Sequence, residues 1–302
     1  MSDKQIPLDD AALAAEVDED GLHQIAVDIG YKRLALVNVV FFGTPPARTE
    51  STLGAPWVLI DTGLHGMSGR IVRAAAKHFG ENALPSAIIL THGHADHVGS
   101  LEALVESWDV PIYAHELELP YLDGRESYPP PDPTVGGLTS LTSPMFSRGP
   151  IDVSRWLHAL PADGSVPGMP GFRWIHTPGH TPGHVSLWRA DDRTLIAGDA
   201  FITTRQESAY AVATQEPELH GPPMYYTPDW PSARESVRRL AALDPELVVT
   251  GHGRAMHGHL MRGALHLLAR DFDSIAVPKH GRYVDGHAGR NSRDEEGEIR
   301  AP

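Results

Sequence analysis

The chain has 302 residues, 41% of them hydrophobic, and is therefore long enough to bury a large core. Its 39 acidic and 25 basic side chains give a formal charge of −14 at pH 7, which disfavours nucleic acids and anionic membrane surfaces as partners. Cysteine is absent, so disulfides and a thiol nucleophile are excluded. Any metal has to be held by imidazole, carboxylate or water, and the chain has 18 histidines.

The sequence predicts an acidic leader over residues 1–20. It has no basic region followed by an apolar stretch, so it does not predict a secretory signal. The apolar run at residues 34–42 is far shorter than the roughly 18 residues that a membrane helix needs. We therefore expect a cytoplasmic protein without membrane contacts, and the oligomeric state stays open.

Short apolar runs separated by Gly and Pro predict strands at residues 24–29, 34–42 and 57–60. A one-sided apolar pattern then predicts a helix, a strand and a second helix at residues 67–79, 87–90 and 101–105. Ten prolines in residues 120–170 predict a long insertion with little regular structure. Such loops often cover a site, so residues 121–150 and 221–226 are expected to frame the substrate entrance.

Regular patterning returns after the insertion. It predicts strands at residues 172–175, 185–188, 194–197 and 247–249, and helices at residues 232–243 and 260–272. Because this half repeats the alternation of the first, we predict one domain over residues 21–287. The polar and charged residues 288–302 predict a disordered tail.

A dense set of metal-binding residue types follows the predicted strand at 87–90, in the sequence Thr91-His92-Gly93-His94-Ala95-Asp96-His97. Side chains two residues apart in extended backbone point the same way, so His92 and His94 can share one metal ion. Asp96 and His97 follow where the chain turns, and can aim at a second ion about 3.5–4 Å from the first. Four polar residues in an ordinary turn rarely show this spacing.

Three further candidates follow other predicted strands. His180 lies in His176-Thr177-Pro178-Gly179-His180-Thr181-Pro182-Gly183-His184, where Pro and Gly fix the path of the chain. Asp199 and His252 each come just past a strand, where a rigid scaffold can present a ligand. Each alone is as readily a turn or cap residue, but the combination favours metal ligands.

Five segments resemble, in order, the motifs of the metallo-β-lactamase superfamily: Asp61-Thr62-Gly63, Thr91 to His97, Thr177 to His184, Gly198-Asp199 and Gly251-His252. The resemblance spans about residues 25–275. It implies an α/β (α+β) fold, a four-layer αββα sandwich of the metallo-β-lactamase type with the metals at one edge between the two sheets.

The same resemblance implies the roles of the site residues. It assigns one metal ion to His92, His94 and His180, the other to Asp96, His97 and His252, and a bridging position to Asp199. Asp61 matches an aspartate that orients a ligand, and His184 matches a position that supports the site without binding metal. For Asp61, a turn role only is the alternative. Two divalent ions are expected, with zinc favoured over iron or manganese.

The other histidines are expected to have structural roles. His65, His115 and His176 should pack or cap, and His257, His259 and His266 should lie on a helix surface. Three tyrosines are candidates for the proton donor, although aromatic packing is the commoner role: Tyr210, Tyr225 and Tyr226.

Two divalent ions lower the pKa of a shared water and polarise a substrate oxygen, which makes hydrolysis the natural reaction. Asp96 can aim that water and is the predicted catalytic residue. The bridging aspartate and the absence of Cys resemble the thioesterase, lactonase and phosphodiesterase branches more than true β-lactamases. We expect a small ester, thioester or lactone as substrate, with a small-molecule phosphodiester as the alternative.

A redox enzyme is the alternative from another class, because iron-dependent persulfide-type dioxygenases of this superfamily carry similar motif residues. Flavodiiron proteins fit less well, since they commonly carry Glu where His94 stands and the chain leaves no length for a flavin domain. A non-catalytic metal-binding protein is a third reading, which the complete ligand set disfavours.

Overall fold

The structure, a computed structural model, describes residues 5–15, 17–19, 22–45 and 56–284. The predicted tail at residues 288–302 and parts of the predicted leader lie outside the described residues. Among the helices of the described part, none is both long enough and apolar enough to span a bilayer.

The described strands are β1 Ile6–Pro7, β2 Val17–Glu19, β3 Leu22–Ala26, β4 Ile29–Leu34, β5 Val37–Phe42, β6 Val58–Ile60, β7 Ala87–Ile89, β8 Ile112–Ala114, β9 Leu157–Ala159, β10 Phe172–His176, β11 Val185–Arg189, β12 Thr194–Gly198, β13 Glu218–Leu219, β14 Leu247–Thr250 and β15 Met256–His257. The described α-helices are α1 Ser68–Phe79, α2 Ala95–Val98, α3 Leu101–Trp108, α4 Leu119–Leu122, α5 Leu138–Thr142, α6 Ala209–Thr214, α7 Trp230–Ala241, α8 Gly258–Arg270 and α9 Phe272–Ile275.

Two large sheets form the centre of the fold. One has the strand order β2-β3-β4-β5-β6-β7-β8-β9, and the other has the order β10-β11-β12-β14-β15. In the first sheet β6 and β7 are parallel, and in the second β12 and β14 are parallel. The carboxyl ends of parallel neighbours lie at the same sheet edge, so the predicted ligands that follow β7, β12 and β14 are delivered by parallel strands.

Alternating side chains on the central strands explain the layers. Trp57 and Leu59 pack in a core with α1 and α3, whereas Val58 and Ile60 pack in a second core between the sheets. In the other sheet, Val248 packs with α7 and α8. Both faces of each sheet are apolar and need a cover, so the predicted four-layer αββα sandwich is confirmed.

The predicted strands at residues 24–29 and 34–42 are wrong in their bounds, because hairpin turns at residues 27–28 and 35–36 separate β3, β4 and β5. Ala35 has φ +61°, a left-handed conformation that is usual for Gly or Asn and uncommon for Ala. The turn therefore carries no sequence signal. It places Leu36 at the end of a hairpin, where its backbone carbonyl contacts the imidazole of His252.

The Pro-rich segment contains more regular structure than predicted. It supplies α4, α5, short 3₁₀ turns and β9, which pairs in parallel with β8 at the sheet edge. β8, the next strand inward, was not predicted from the sequence either. β8 and β9 each have only three residues, which is too short for an alternating pattern to stand out.

A buried aromatic stack in the first helix layer provides a test of this packing. The rings of Trp57 and Phe79 stack at 4.7 Å between centroids with 9° between planes, and Phe79 is 2% exposed. Phe79→Ala should lower the free energy of unfolding by about 3–5 kcal/mol, since it removes a ring and leaves a cavity. Val72→Ala, a surface change on the same helix, should stay within about 0.5 kcal/mol. Urea denaturation measures both, and equal effects would contradict this packing.

Candidate metal centre

The segment after β7 changes conformation between its second and third ligand candidates. His94 has extended backbone, with φ −65° and ψ 149°, and α2 begins at the next residue. His92 and His94 therefore precede the helix, whereas Asp96 and His97 lie on its first turn. Because the backbone changes from extended to helical within residues 91–97, this short segment can supply His92 and His94 to one group of ligands and Asp96 and His97 to another.

All seven predicted metal ligands lie together in the structure. Nδ1 of His94 is 2.9 Å from Nε2 of His180, and Nε2 of His252 is 3.3 Å from Oδ2 of Asp96. Oδ2 of Asp199 stands between the two sides of the cluster. Its distances to imidazole Nε2 atoms are 3.1 Å to His252, 3.5 Å to His97 and 3.6 Å to His180.

These separations suit metal ligands. The donor atoms form three overlapping groups, each with its atoms within 4.8 Å of one another: His92, His94 and His180; His92, His97 and Asp199; and Asp96, His97 and His252. Two nitrogens that each lie about 2.0–2.1 Å from a tetrahedral zinc ion are roughly 3.3 Å apart. Most of the observed separations fall close to that distance.

The outward-facing nitrogens of four imidazoles have hydrogen-bond partners. The Nδ1 partners are the Thr91 hydroxyl for His92 at 3.1 Å, the Asp61 carboxylate for His97 at 2.8 Å, the Thr227 hydroxyl for His180 at 3.1 Å and the Leu36 carbonyl for His252 at 2.6 Å. Donation from Nδ1 leaves a lone pair on Nε2, and Nε2 faces the cluster in each case.

Several atoms that face the cluster are buried and have no hydrogen-bond partner. They are Nε2 of His92, His97 and His252 and Oδ1 of Asp199. Nε2 of His252 is close to Asp199 but not aligned for a hydrogen bond. Buried polar atoms nearly always have a hydrogen-bond partner. Nitrogen and oxygen atoms that lack one and face the same space therefore fit a bound cation. The residues present therefore fit metal ions, and the fold and cluster together indicate metal binding.

Burial and the two carboxylates have opposite effects on the imidazoles. Burial lowers the pKa of His92 well below its usual value and that of His94 to about 4, so both are neutral at pH 7, the form that binds metal. At His252 burial also lowers the pKa, but Asp199 and Asp96 outweigh it and raise the pKa to about 10. A cation bound there replaces protons, so metal binding should release them.

Asp61 and His184 occupy positioning sites beside the cluster. Asp61 accepts from the backbone N–H and the hydroxyl of Thr91, both at 2.8 Å, and also contacts His97. It has φ +58°, a conformation that aspartate tolerates better than most residues. His184 accepts from the backbone N–H of Asp199 at 2.9 Å through Nε2, and its Nδ1 contacts Thr177. Neither nitrogen of His184 is left for a metal.

Glu118 is a buried carboxylate that the sequence analysis missed. It accepts from the backbone N–H of Gly93 at 2.9 Å, the hydroxyl of Thr181 at 2.7 Å and the backbone N–H of Gly183 at 2.7 Å. The Tyr128 hydroxyl donates to it as well. Burial raises the pKa of Glu118, and these hydrogen bonds oppose that effect. Glu118 therefore ties the loop that carries His92 to the loop that carries His180.

The histidines predicted to have structural roles, and Tyr210, lie only partly where the sequence predicted. His115 and His176 stack on each other as predicted packing residues, and His259 and His266 are exposed on α8. His257 lies in β15, so its predicted helix position is wrong. His65 lines a cavity and is not simply a packing or capping residue. Tyr210 is 68% exposed and contacts Glu216, so it is not at the cluster.

A cavity of about 280 Å³ opens beside Asp96. Its wall includes Phe146 from the Pro-rich segment and Tyr225 and Tyr226 from the loop at residues 221–226. Both segments are those predicted to frame the substrate entrance. The ring of Tyr226 also stacks on His94 at 4.5 Å. A larger cleft of about 630 Å³ lies beside Arg205, but it is lined by none of the seven ligand candidates. Of these two, the smaller cavity is the one lined by a predicted ligand, Asp96, and a narrow space of about 10 Å³ is lined by His94 and His180.

The fold and the cluster define a metal-binding αββα protein, and comparison with known proteins gives its family. The sequence profile of the metallo-beta-lactamase superfamily matches residues 52–252. The chain is 46% identical over 277 residues to the probable metallo-hydrolase YflN of Bacillus subtilis, which covers 91% of this chain and all of that protein. It is 32% identical over 196 residues to YybB of the same organism, covering 65% of this chain and 74% of that protein.

Solved structures agree at the level of the fold. A beta-lactamase domain protein from Burkholderia ambifaria superposes with a TM-score of 0.59 and 18% identity, over 89% of this chain and 77% of that one. A B3 metallo-beta-lactamase with an active-site glutamic acid gives 0.56 and 18%, over 90% and 95%. The chain belongs to the metallo-beta-lactamase superfamily. Family and cluster together support a metal-dependent hydrolase.

The linking role of Glu118 can be tested with a neighbouring glutamate as control. Glu118→Ala leaves the N–H of Gly183 and the hydroxyls of Thr181 and Tyr128 without their acceptor. At about 1–3 kcal/mol for each buried group left unsatisfied, the change should cost about 3–5 kcal/mol of stability. It should also weaken metal binding by roughly 10- to 100-fold, because both ligand loops lose their fixed path. Glu116→Ala, at an exposed position, should change neither. Chemical denaturation and metal titration measure the effects; a folded Glu118→Ala protein with unchanged metal affinity would rule out the link.

Proposed function

We propose that the protein is a hydrolase that uses two divalent metal ions and a water molecule to cleave a small ester, thioester or lactone. The observation that carries the proposal is the position of Asp199. Its Oδ2 atom lies within 3.6 Å of Nε2 on His180, from one ligand group, and of His97 and His252, from the other. A carboxylate in that position suits a bridge between two ions.

The proposed ligands are those implied by the sequence: His92, His94 and His180 for one ion, Asp96, His97 and His252 for the other, and Asp199 for both. Zinc suits the nitrogen-rich set best, and iron and manganese also suit ligands that are all nitrogen and oxygen. When bound, two such ions lower the pKa of a water molecule and polarise a substrate oxygen.

Asp96 is the proposed catalytic residue because of its exposure. Its side chain is 18% exposed, against 2% for Asp199, and it lines the cavity beside the cluster. It therefore lies at the boundary between the metal ligands and the space open to a substrate. From there the Asp96 carboxylate can accept a hydrogen bond from the attacking water and fix its direction.

The charge of the chain supports a small substrate and opposes a nucleic acid. The formal charge is −14, so a polyanion would meet overall repulsion. The cavity beside Asp96 is also near the lower end of the roughly 300–1,000 Å³ typical of ligand sites. We therefore propose a small-molecule substrate, with an acyl carbonyl preferred over a phosphodiester.

Metal content tests the two-ion proposal. The metal-replete protein should contain close to two ions per chain, and His252→Ala should lose about one, because His252 belongs to only one ligand group. His266→Ala changes an exposed histidine on α8 and should retain both ions. Elemental analysis after gel filtration measures the content. One ion in the unsubstituted protein, unchanged in His252→Ala, would contradict the proposal.

A substrate panel tests the reaction. Aryl esters, thioesters and lactones should have higher kcat/KM than bis-aryl phosphates, and Asp96→Asn should lower kcat by about 10²–10⁴-fold. Phosphodiester turnover at least tenfold faster than acyl turnover, about 1.4 kcal/mol in transition-state stabilisation, would sink the acyl assignment. Oxygen uptake with a persulfide in place of hydrolysis would favour the dioxygenase.

A further inference from the structure

We propose that the cavity beside Asp96 binds an uncharged, apolar part of the substrate, so that the protein prefers esters of short to medium aliphatic acids over acetyl esters and anionic esters. This inference rests on the proposed hydrolytic function and adds the class of acyl group. It is drawn from the composition of the cavity wall and from the segments that build it.

The wall of the cavity is mostly apolar. Leu36 comes from the turn between β4 and β5, Leu64 from the loop after β6, Phe146 from the Pro-rich segment and Tyr225 from the turn before α7. These four segments are separate in the sequence and come together at the cavity. Ala95 and Tyr226 complete the apolar part of the wall.

The polar part of the wall, as the described residues form it, has groups that can form hydrogen bonds but no Lys or Arg to pair with an anion. It consists of Asp96, His65, Thr139 and Ser147, and the described residues lining the cavity include neither Lys nor Arg. A carboxylate on the substrate's acyl chain would face Asp96, and no Lys or Arg among these wall residues would balance its charge. Burial of an unpaired charge costs free energy, whereas burial of an alkyl chain is favourable because it removes apolar surface from water.

Phe146 leaves apolar surface uncovered at this cavity. It is 39% exposed, although a phenyl ring is among the side chains that gain most from burial. Met145, the residue before it, is 85% exposed and does not line the cavity. Substitution of Phe146 therefore changes the apolar wall of the cavity, whereas substitution of Met145 changes only apolar surface nearby. Neither residue belongs to a buried core, so both can be changed without disturbing one.

The acyl chain length of the substrate tests the inference. Zinc-loaded, full-length protein is assayed with p-nitrophenyl acetate, butanoate, hexanoate and hemisuccinate. Each buried methylene favours binding about fourfold at most, so kcat/KM should rise at least tenfold from acetate to hexanoate. Butanoate and hemisuccinate have acyl chains of equal carbon number, and the anionic ester should be at least tenfold slower. Phe146→Ala should flatten the rise, Phe146→Leu should keep it, and Met145→Ala should leave it unchanged.

Binding of the product acids separates this inference from the hydrolytic function. Calorimetric titration of the zinc-loaded protein should give at least tenfold tighter binding of hexanoate than of acetate, and Phe146→Ala should remove the difference. If no ester is cleaved but this binding preference holds, the hydrolase proposal fails and the apolar site stands. Esters cleaved at equal rates whatever their chain length, or faster cleavage of the hemisuccinate than of the butanoate, would overturn the apolar site.

Discussion

Two buried carboxylates hold the loop between β7 and α2, and the geometry of the metal centre depends on them. Asp61 accepts from the backbone of Thr91 on one side, and Glu118 accepts from the backbone of Gly93 on the other. His92 lies between these two anchored residues, so its backbone is fixed before any metal binds. Glu118 extends the same restraint to the loop around His180, which makes one rigid unit of two distant segments.

Close approach of the loops also requires glycine at defined positions. A Cβ atom on Gly251 would lie 2.0 Å from Oδ1 of Asp199, and one on Gly93 would lie 2.6 Å from the Tyr128 hydroxyl. Neither space can hold a methyl group. The Gly and His residues of these motifs therefore act together, because the ligands converge only where the backbone beside them has no side chain.

The cluster is the proposed place of the reaction, and the cavity beside it is the proposed place of substrate recognition. The cluster is polar, buried and built from sequence motifs, whereas the cavity is largely apolar and built mostly from segments outside those motifs. The name of YflN, a probable metallo-hydrolase, specifies no substrate. Differences in substrate within this fold are therefore expected to lie in segments such as the one that carries Phe146.

The sequence alone determined the family and the seven ligand candidates, because ligands grouped within a few residues of an apolar strand leave a local pattern. The four layers followed from the resemblance to the family and not from the patterning of the strands. Tertiary structure decided the turn at Ala35, the linking role of Glu118 and the apolar cavity. A left-handed alanine, a glutamate in an acidic chain and scattered leucines have no distinctive local pattern. Their roles arise from contacts between segments far apart in the chain, which become visible only when the two sheets are brought together.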